Sequence, residues 1–160
     1  MKRFAKTRNT VTLACALALA GCGNSAEPGK PKAVIQQYVV TSAVDCADNT
    51  TMDFEVCTSL LQMAIDQHDR SASSFTKLSE CETAQGVGRC NRIEEKKYRA
   101  RIAAFQISMK EPPVAEPLYP TKTNDAAFRT ASNTEIKPDA DTYTFTKSAA
   151  DATHLFVQRK

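Results

Sequence analysis

The chain has 160 residues, 24% of them charged, with a formal net charge of +3, 7% aromatic residues and no Trp. Four of its positive charges, Lys2, Arg3, Lys6 and Arg8, stand in the first eight residues, so the +3 becomes −1 once residues 1–21 are set aside. That balance argues against nucleic-acid binding, which needs a basic patch on the folded domain, and so few aromatics predict a thin apolar core.

Taken in order, the chain opens as an export signal. The basic residues precede an apolar run, Val11 to Ala20, interrupted only by Thr12 and too short to span a bilayer stably. It ends in Leu19-Ala20-Gly21-Cys22, which resembles the bacterial lipobox. The resemblance implies cleavage after residue 21, acylation of Cys22 and anchoring to a membrane by lipid, since each buried CH₂ contributes about 0.8 kcal/mol. By the same resemblance, Gly23 after the cysteine implies sorting to the outer membrane, with the domain facing the periplasm or the cell surface. Residues 22–32, with two Gly and two Pro in GNSAEPGKPK, read as a tether. Residues 33–160 then form one domain, a disulfide-framed helical part over 33–95 and a β-rich tail over 96–160.

Ala33 to Ser42 (AVIQQYVVTS) predicts a strand, and Asp48-Asn49-Thr50-Thr51 a turn with a Thr N-cap. From Asp53 a helical period is clear. Phe54, Cys57, Leu61, Ala64, Ile65 and His68 share one face, widened by Val56, Leu60 and Met63. Ser71 to Ser74 ends that helix, and a shorter one is expected over about Thr76 to Gln85, stopped by Gly86, with Phe75, Leu78 and Cys81 inward. The expected architecture is α+β: a small disulfide-stapled helical hairpin followed by a short antiparallel β region.

Cys46, Cys57, Cys81 and Cys90 are spaced as C-x10-C, C-x23-C and C-x8-C, with no C-x-x-C. This reads as a disulfide framework and not a zinc or redox motif. With Cys15 lost with the leader and Cys22 acylated, four thiols remain and none is left over for catalysis. Cys57 and Cys81 on the seam of the hairpin favour Cys57–Cys81 with Cys46–Cys90. The local pairing, Cys46–Cys57 with Cys81–Cys90, stays open.

The charged run Arg92, Glu94, Glu95, Lys96, Lys97, Arg99, Arg101 reads as a solvated helix end. Ala103, Phe105, Ile107 and Met109 alternate with smaller or polar residues, the period of a half-buried strand. Pro112-Pro113 stops it, and Glu116-Pro117-Leu118-Tyr119-Pro120 reads as an extended loop. Ala127 to Ala131, Thr142 to Thr146 and His154 to Val157 are further strand candidates.

No catalytic or metal site is expected, and no cofactor. Asp66 and Asp69 stand two before and one after His68, positions that point away from it on a helix, so His68 reads as a capping or partly buried residue. His154 reads as surface. Ser71, Ser73, Ser74 and Ser79 lack a Gly-x-Ser-x-Gly frame, and the five glycines form no phosphate loop.

The lipobox, Asp45-Cys46, Cys57 early in a helix, Ala64, Phe75, Glu80-Cys81, Gly86-x-Gly88-x-Cys90 and Pro117-Leu118-Tyr119 resemble the YgiB-like bacterial lipoproteins, a family classed as a domain of unknown function (DUF1190). The chain departs from that pattern where Ala72 is followed by Ser73 instead of Pro, and in lacking a Gly-, Gln- and Met-rich segment after Cys90. The resemblance implies an envelope lipoprotein and brings no catalytic residues. The expectation is a lipid-anchored module that binds or scaffolds other envelope proteins, the alternative a periplasmic thiol oxidoreductase or hydrolase.

Overall fold

Two apolar faces on one sheet organise the fold. The structure, a computed structural model, describes residues 36–123, 126–155 and 157, all within the contact unit Val34–Lys160. The expected signal peptide, Cys22 and the tether therefore lie outside the described residues. No helix among the described residues is long and apolar enough to cross a membrane.

Strand β1 (Gln37–Val40) pairs antiparallel with β5 (Ala104–Ser108), which pairs antiparallel with β6 (Val114–Pro120). Short strands β7 (Phe128–Arg129) and β8 (Glu135–Ile136) extend the sheet beyond β6, and β9 (Thr144–Phe145) lies parallel to β1 at the other edge. The order is β8-β7-β6-β5-β1-β9. Adjacent residues of a strand face opposite sides, so Val40, Phe105 and Ile107 pack with Cys46, Cys57, Leu60, Leu61 and Ala64 on one face. Val39, Ala104 and Leu118 pack with Phe128, Ile136, Ala149 and Ala152 on the other.

Helices α1 (Ala43–Asn49) and α2 (Phe54–Ser71) supply the first face. The turn expected around Asp48 is the end of α1, a helix capped when Asp45 N–H donates to Ser42 Oγ (3.1 Å). On α2 the predicted stripe is narrower than expected. Cys57, Leu60, Leu61, Ala64 and His68 are buried, whereas Phe54, Val56 and Met63 are exposed, because the helix docks on only one side. The second face is covered by α4 (Lys147–His154), started by Ala149 N–H donating to Thr146 Oγ1 (3.1 Å). The strand expected from His154 begins instead as the last residue of this helix, whose Ala149, Ala152 and Thr153 are buried at helical spacing.

A second sheet, β2-β4-β3, consists of β2 (Ser74–Phe75), β4 (Lys97–Ala100) and β3 (Cys90–Glu94), all antiparallel. The charged run is thus a β-hairpin and not a helix end, turning through Lys96 at φ 55°. Helix α3 (Leu78–Gln85) lies against this sheet instead of forming a hairpin with α2. β2 draws the chain away from α2 and carries Cys81 to Cys90. The bridges are accordingly the local ones, Cys46–Cys57 (Cα–Cα 6.0 Å) and Cys81–Cys90 (6.3 Å), not the cross-hairpin pairs favoured above. The α+β class holds, but the architecture is a six-stranded sheet with helices on both faces and a small stapled satellite sheet.

The proline-bounded stretch 116–120 is also strand, not loop. Ala103 N–H donates to the Leu118 carbonyl (2.8 Å), so by alternation Pro117 faces the edge that β7 reaches only from Tyr119 onward. Its missing N–H leaves no partner unsatisfied there.

Candidate binding site

The inner stripe of α2 ends at His68, and the alternation of β6 turns Tyr119 towards it. Both side chains are buried, and His68 Nδ1 lies 2.9 Å from Tyr119 Oη. Burial, reinforced by the Arg99 cation and partly opposed by Asp69, lowers the pKa of His68 and favours the neutral imidazole. Burial raises that of Tyr119 against the pull of Arg129 and Arg99, so the phenol stays protonated. The pair is a neutral hydrogen bond between α2 and the large sheet.

Register places Arg129 directly opposite Tyr119. Its guanidinium carbon lies 5.2 Å from the Tyr119 ring centroid, within cation–π range. Only 7% of Arg129 is exposed. Nε donates to the Pro120 carbonyl (3.1 Å), one terminal nitrogen to Asn133 Oδ1 (3.2 Å) and the other to Gln85 Oε1 (2.5 Å). All three acceptors are neutral, and Arg129 makes no ion pair among the described residues. Burial and the nearby Arg89 lower its pKa, while Tyr119 acts the other way.

Two further arginines frame this seam. Arg89, also buried, donates to the carbonyls of Thr121, Val87 and Thr123, which fastens the turn after α3 to the chain beyond β6. Its side chain crosses Gly86, where a Cβ would lie 2.6 Å from Arg89 Cδ and where φ is +104°, so glycine is required on both counts. Arg99 pairs with Asp69 at 2.6 Å and ties β4 to α2, while its Nε is buried with no partner among the described residues.

Clefts open on either side of the His68–Tyr119 pair. One of about 310 Å³ is lined by Ile65, His68, Asp69, Ile93, Ile102 and Phe105, among others. The other, about 190 Å³, is lined by Ser71, Ala72, Ser73, Gln85, Tyr119 and Arg129 together with Ala100 and Ala131. A third, of about 210 Å³, meets Arg129 beside Lys122, Asn133 and Glu135. Among the described residues, no group of three or more His, Cys, Asp or Glu is placed to hold a metal.

The profile of a protein family described as a protein of unknown function (DUF1190) matches residues 35–154. The chain belongs to that family. Neither the curated proteins nor the solved structures supply a match. The DUF1190 match contains all four bridged cysteines and the whole seam, whereas Cys22 precedes it.

The structure places the four framework cysteines in two separate bridges and leaves His154 on the surface. It brings together residues that sequence reasoning did not single out: Tyr119, Arg129, Arg99 and Arg89. The available signal was the placement of Arg129 next to Phe128 inside the short apolar run from Ala127, where a charge is out of pattern.

Proposed function

We propose that this DUF1190 chain is a lipid-anchored binding or scaffolding module of the bacterial envelope, which recognises its partner at the clefts around His68 and Tyr119 and performs no catalysis. The carrying observation is the state of the reactive side chains in those clefts. His68 and Tyr119 are bonded to each other and driven by burial towards their neutral forms, and Ser71 Oγ donates to the Gln67 carbonyl (2.7 Å) instead of to a base. A nucleophile needs an activating partner, whereas a recognition cleft needs fixed walls and a few oriented polar groups.

Anchoring rests on Leu19-Ala20-Gly21-Cys22 behind its basic and apolar leader, with outer-membrane sorting resting on Gly23. The two disulfides suit an oxidising compartment. Complete burial of both Cys46 and Cys57 counts against thiol exchange at that bridge, because exchange requires access to a sulfur; in the second bridge Cys81 is buried and Cys90 half-buried.

Site-specific photo-crosslinking in intact envelopes tests the binding reading. A crosslinker at Ser73 or Ile93 should capture a discrete partner, and one at Lys147 should not. Recovery of uncrosslinked monomer from the cleft positions would overturn it. Intact-mass analysis of membrane-extracted protein should find acyl chains on Cys22 and no free thiols after denaturation.

A further inference from the structure

We infer that the 190 Å³ cleft is a receptor for one carboxylate group, held by the guanidinium of Arg129; this deepens the binding reading above and rests on it. The first argument is charge. Arg129 is almost wholly buried, yet its partners are the neutral oxygens of Pro120, Asn133 and Gln85. Removing a cation from water without an anion is costly, and Arg89 adds like charge nearby. An incoming carboxylate would relieve both.

Donor capacity points the same way. A guanidinium has five N–H donors, and the hydrogen bonds described leave one on each terminal nitrogen. That matches the two oxygens of a carboxylate. The Ser73 hydroxyl and the Gln85 amide group also line the cleft, but its other donors are engaged. Ser71 spends its proton on Gln67, the Ala72 N–H is bonded to the His68 carbonyl (2.8 Å), and the Tyr119 hydroxyl is shared with His68. A phosphate, with three strong acceptor oxygens, matches a two-pronged guanidinium edge less closely than a carboxylate does. This cleft also lies at the C-terminal end of α2, whose partial negative charge disfavours a dianion more than a monoanion.

Size and lining complete the choice. Whole-ligand pockets run to roughly 300–1,000 Å³, so about 190 Å³ suits the end of a larger molecule or a very small acid. No acidic side chain lines it, whereas the third cleft on Arg129 presents Glu135.

The test uses the full chain with both bridges intact, followed by amide NMR during titration with acetate, N-acetyl-dialanine, its C-terminal amide and inorganic phosphate. Both carboxylates should move the Ser73, Tyr119 and Ala131 resonances, the amide should not, and phosphate should bind more weakly. Tighter binding of the peptide acid identifies a peptide C-terminus as the source, and equal binding a free organic acid. Arg129→Lys should weaken binding by about tenfold or more through loss of the fork. Ser73→Phe, which fills the cleft from an exposed position and leaves Arg129 in the chain, should abolish it and decides the matter if the arginine variant does not fold. Equal shifts from acid and amide, or tighter phosphate binding, would refute the carboxylate site. A crosslinked envelope partner with no carboxylate response would sink this inference alone.

Discussion

The six-stranded sheet buries apolar side chains on both faces, while the three-stranded sheet has exposed or half-buried strands and contributes no member to either apolar cluster. Each region nevertheless carries one bridge, closing loops of similar length, 11 and 9 residues apart in sequence. Chain entropy alone therefore assigns each link a similar contribution, roughly 2.5–3 kcal/mol. Their surroundings differ. Cys46 and Cys57 are members of the core, whereas Cys81 and Cys90 join α3 to β3 where little apolar surface is buried. A disulfide can thus sit inside a core or take the place of one, and loop length does not tell the two apart.

The largest effect should come from the core itself. Phe128→Ala removes the bulkiest fully buried side chain and should cost about 3–5 kcal/mol in denaturant unfolding. A loss below about 1 kcal/mol would mean that the second apolar face is not packed as described.

Next come the bridges. Cys46→Ala with Cys57→Ala should lower global stability by about 3 kcal/mol or more, since packing is lost with the link. Cys81→Ala with Cys90→Ala should chiefly speed hydrogen exchange across residues 74–100 and spare the amides of β1 and β5. Equal, global effects of the two pairs would erase the contrast drawn between the regions.

A smaller effect concerns acid. His68 has a lowered pKa in the folded protein, so the unfolded chain binds the extra proton more readily. Its contribution to stability is complete above the unfolded value of about 6.5 and is lost as pH falls through the lower folded value, with a slope of at most about 1.4 kcal/mol per pH unit. His68→Gln should flatten the melting-temperature profile below about pH 6.5. Persistence of the slope in that variant would assign it to other groups. Smallest of all, Lys147→Ala breaks an exposed pair with Asp151 (2.6 Å) and should leave the melting temperature unchanged.

Much of the first region was legible in the sequence because period and burial agree there. The Cys57–Ala64 stripe marks α2, and the alternation from Ala103 to Met109 marks β5. The second region was not. Its hairpin is built from Arg92, Glu94, Lys97 and Arg99, whose pattern also suits a solvated helix, and only pairing with β2 distinguishes the two. β6 was hidden by Pro117 and Pro120; the first is tolerated because its missing N–H faces an edge without a partner, which a single strand does not reveal, and the second ends the strand. The favoured bridges were misplaced for a related reason: Cys57 and Cys81 face each other only if α3 packs against α2, and α3 packs on the small sheet instead. The seam itself depends on contacts spanning 51 residues from His68 to Tyr119 and 44 from Gln85 to Arg129, distances over which periodicity carries no information.

The position of β1 has a mechanical consequence. It is the first described element, and neighbours hold it on both flanks: β5 antiparallel, β9 parallel. Tension applied along the axis of β1 would load these rungs in shear, so several must rupture together instead of unzipping singly. Under such a load the strand would resist peeling through all its rungs at once.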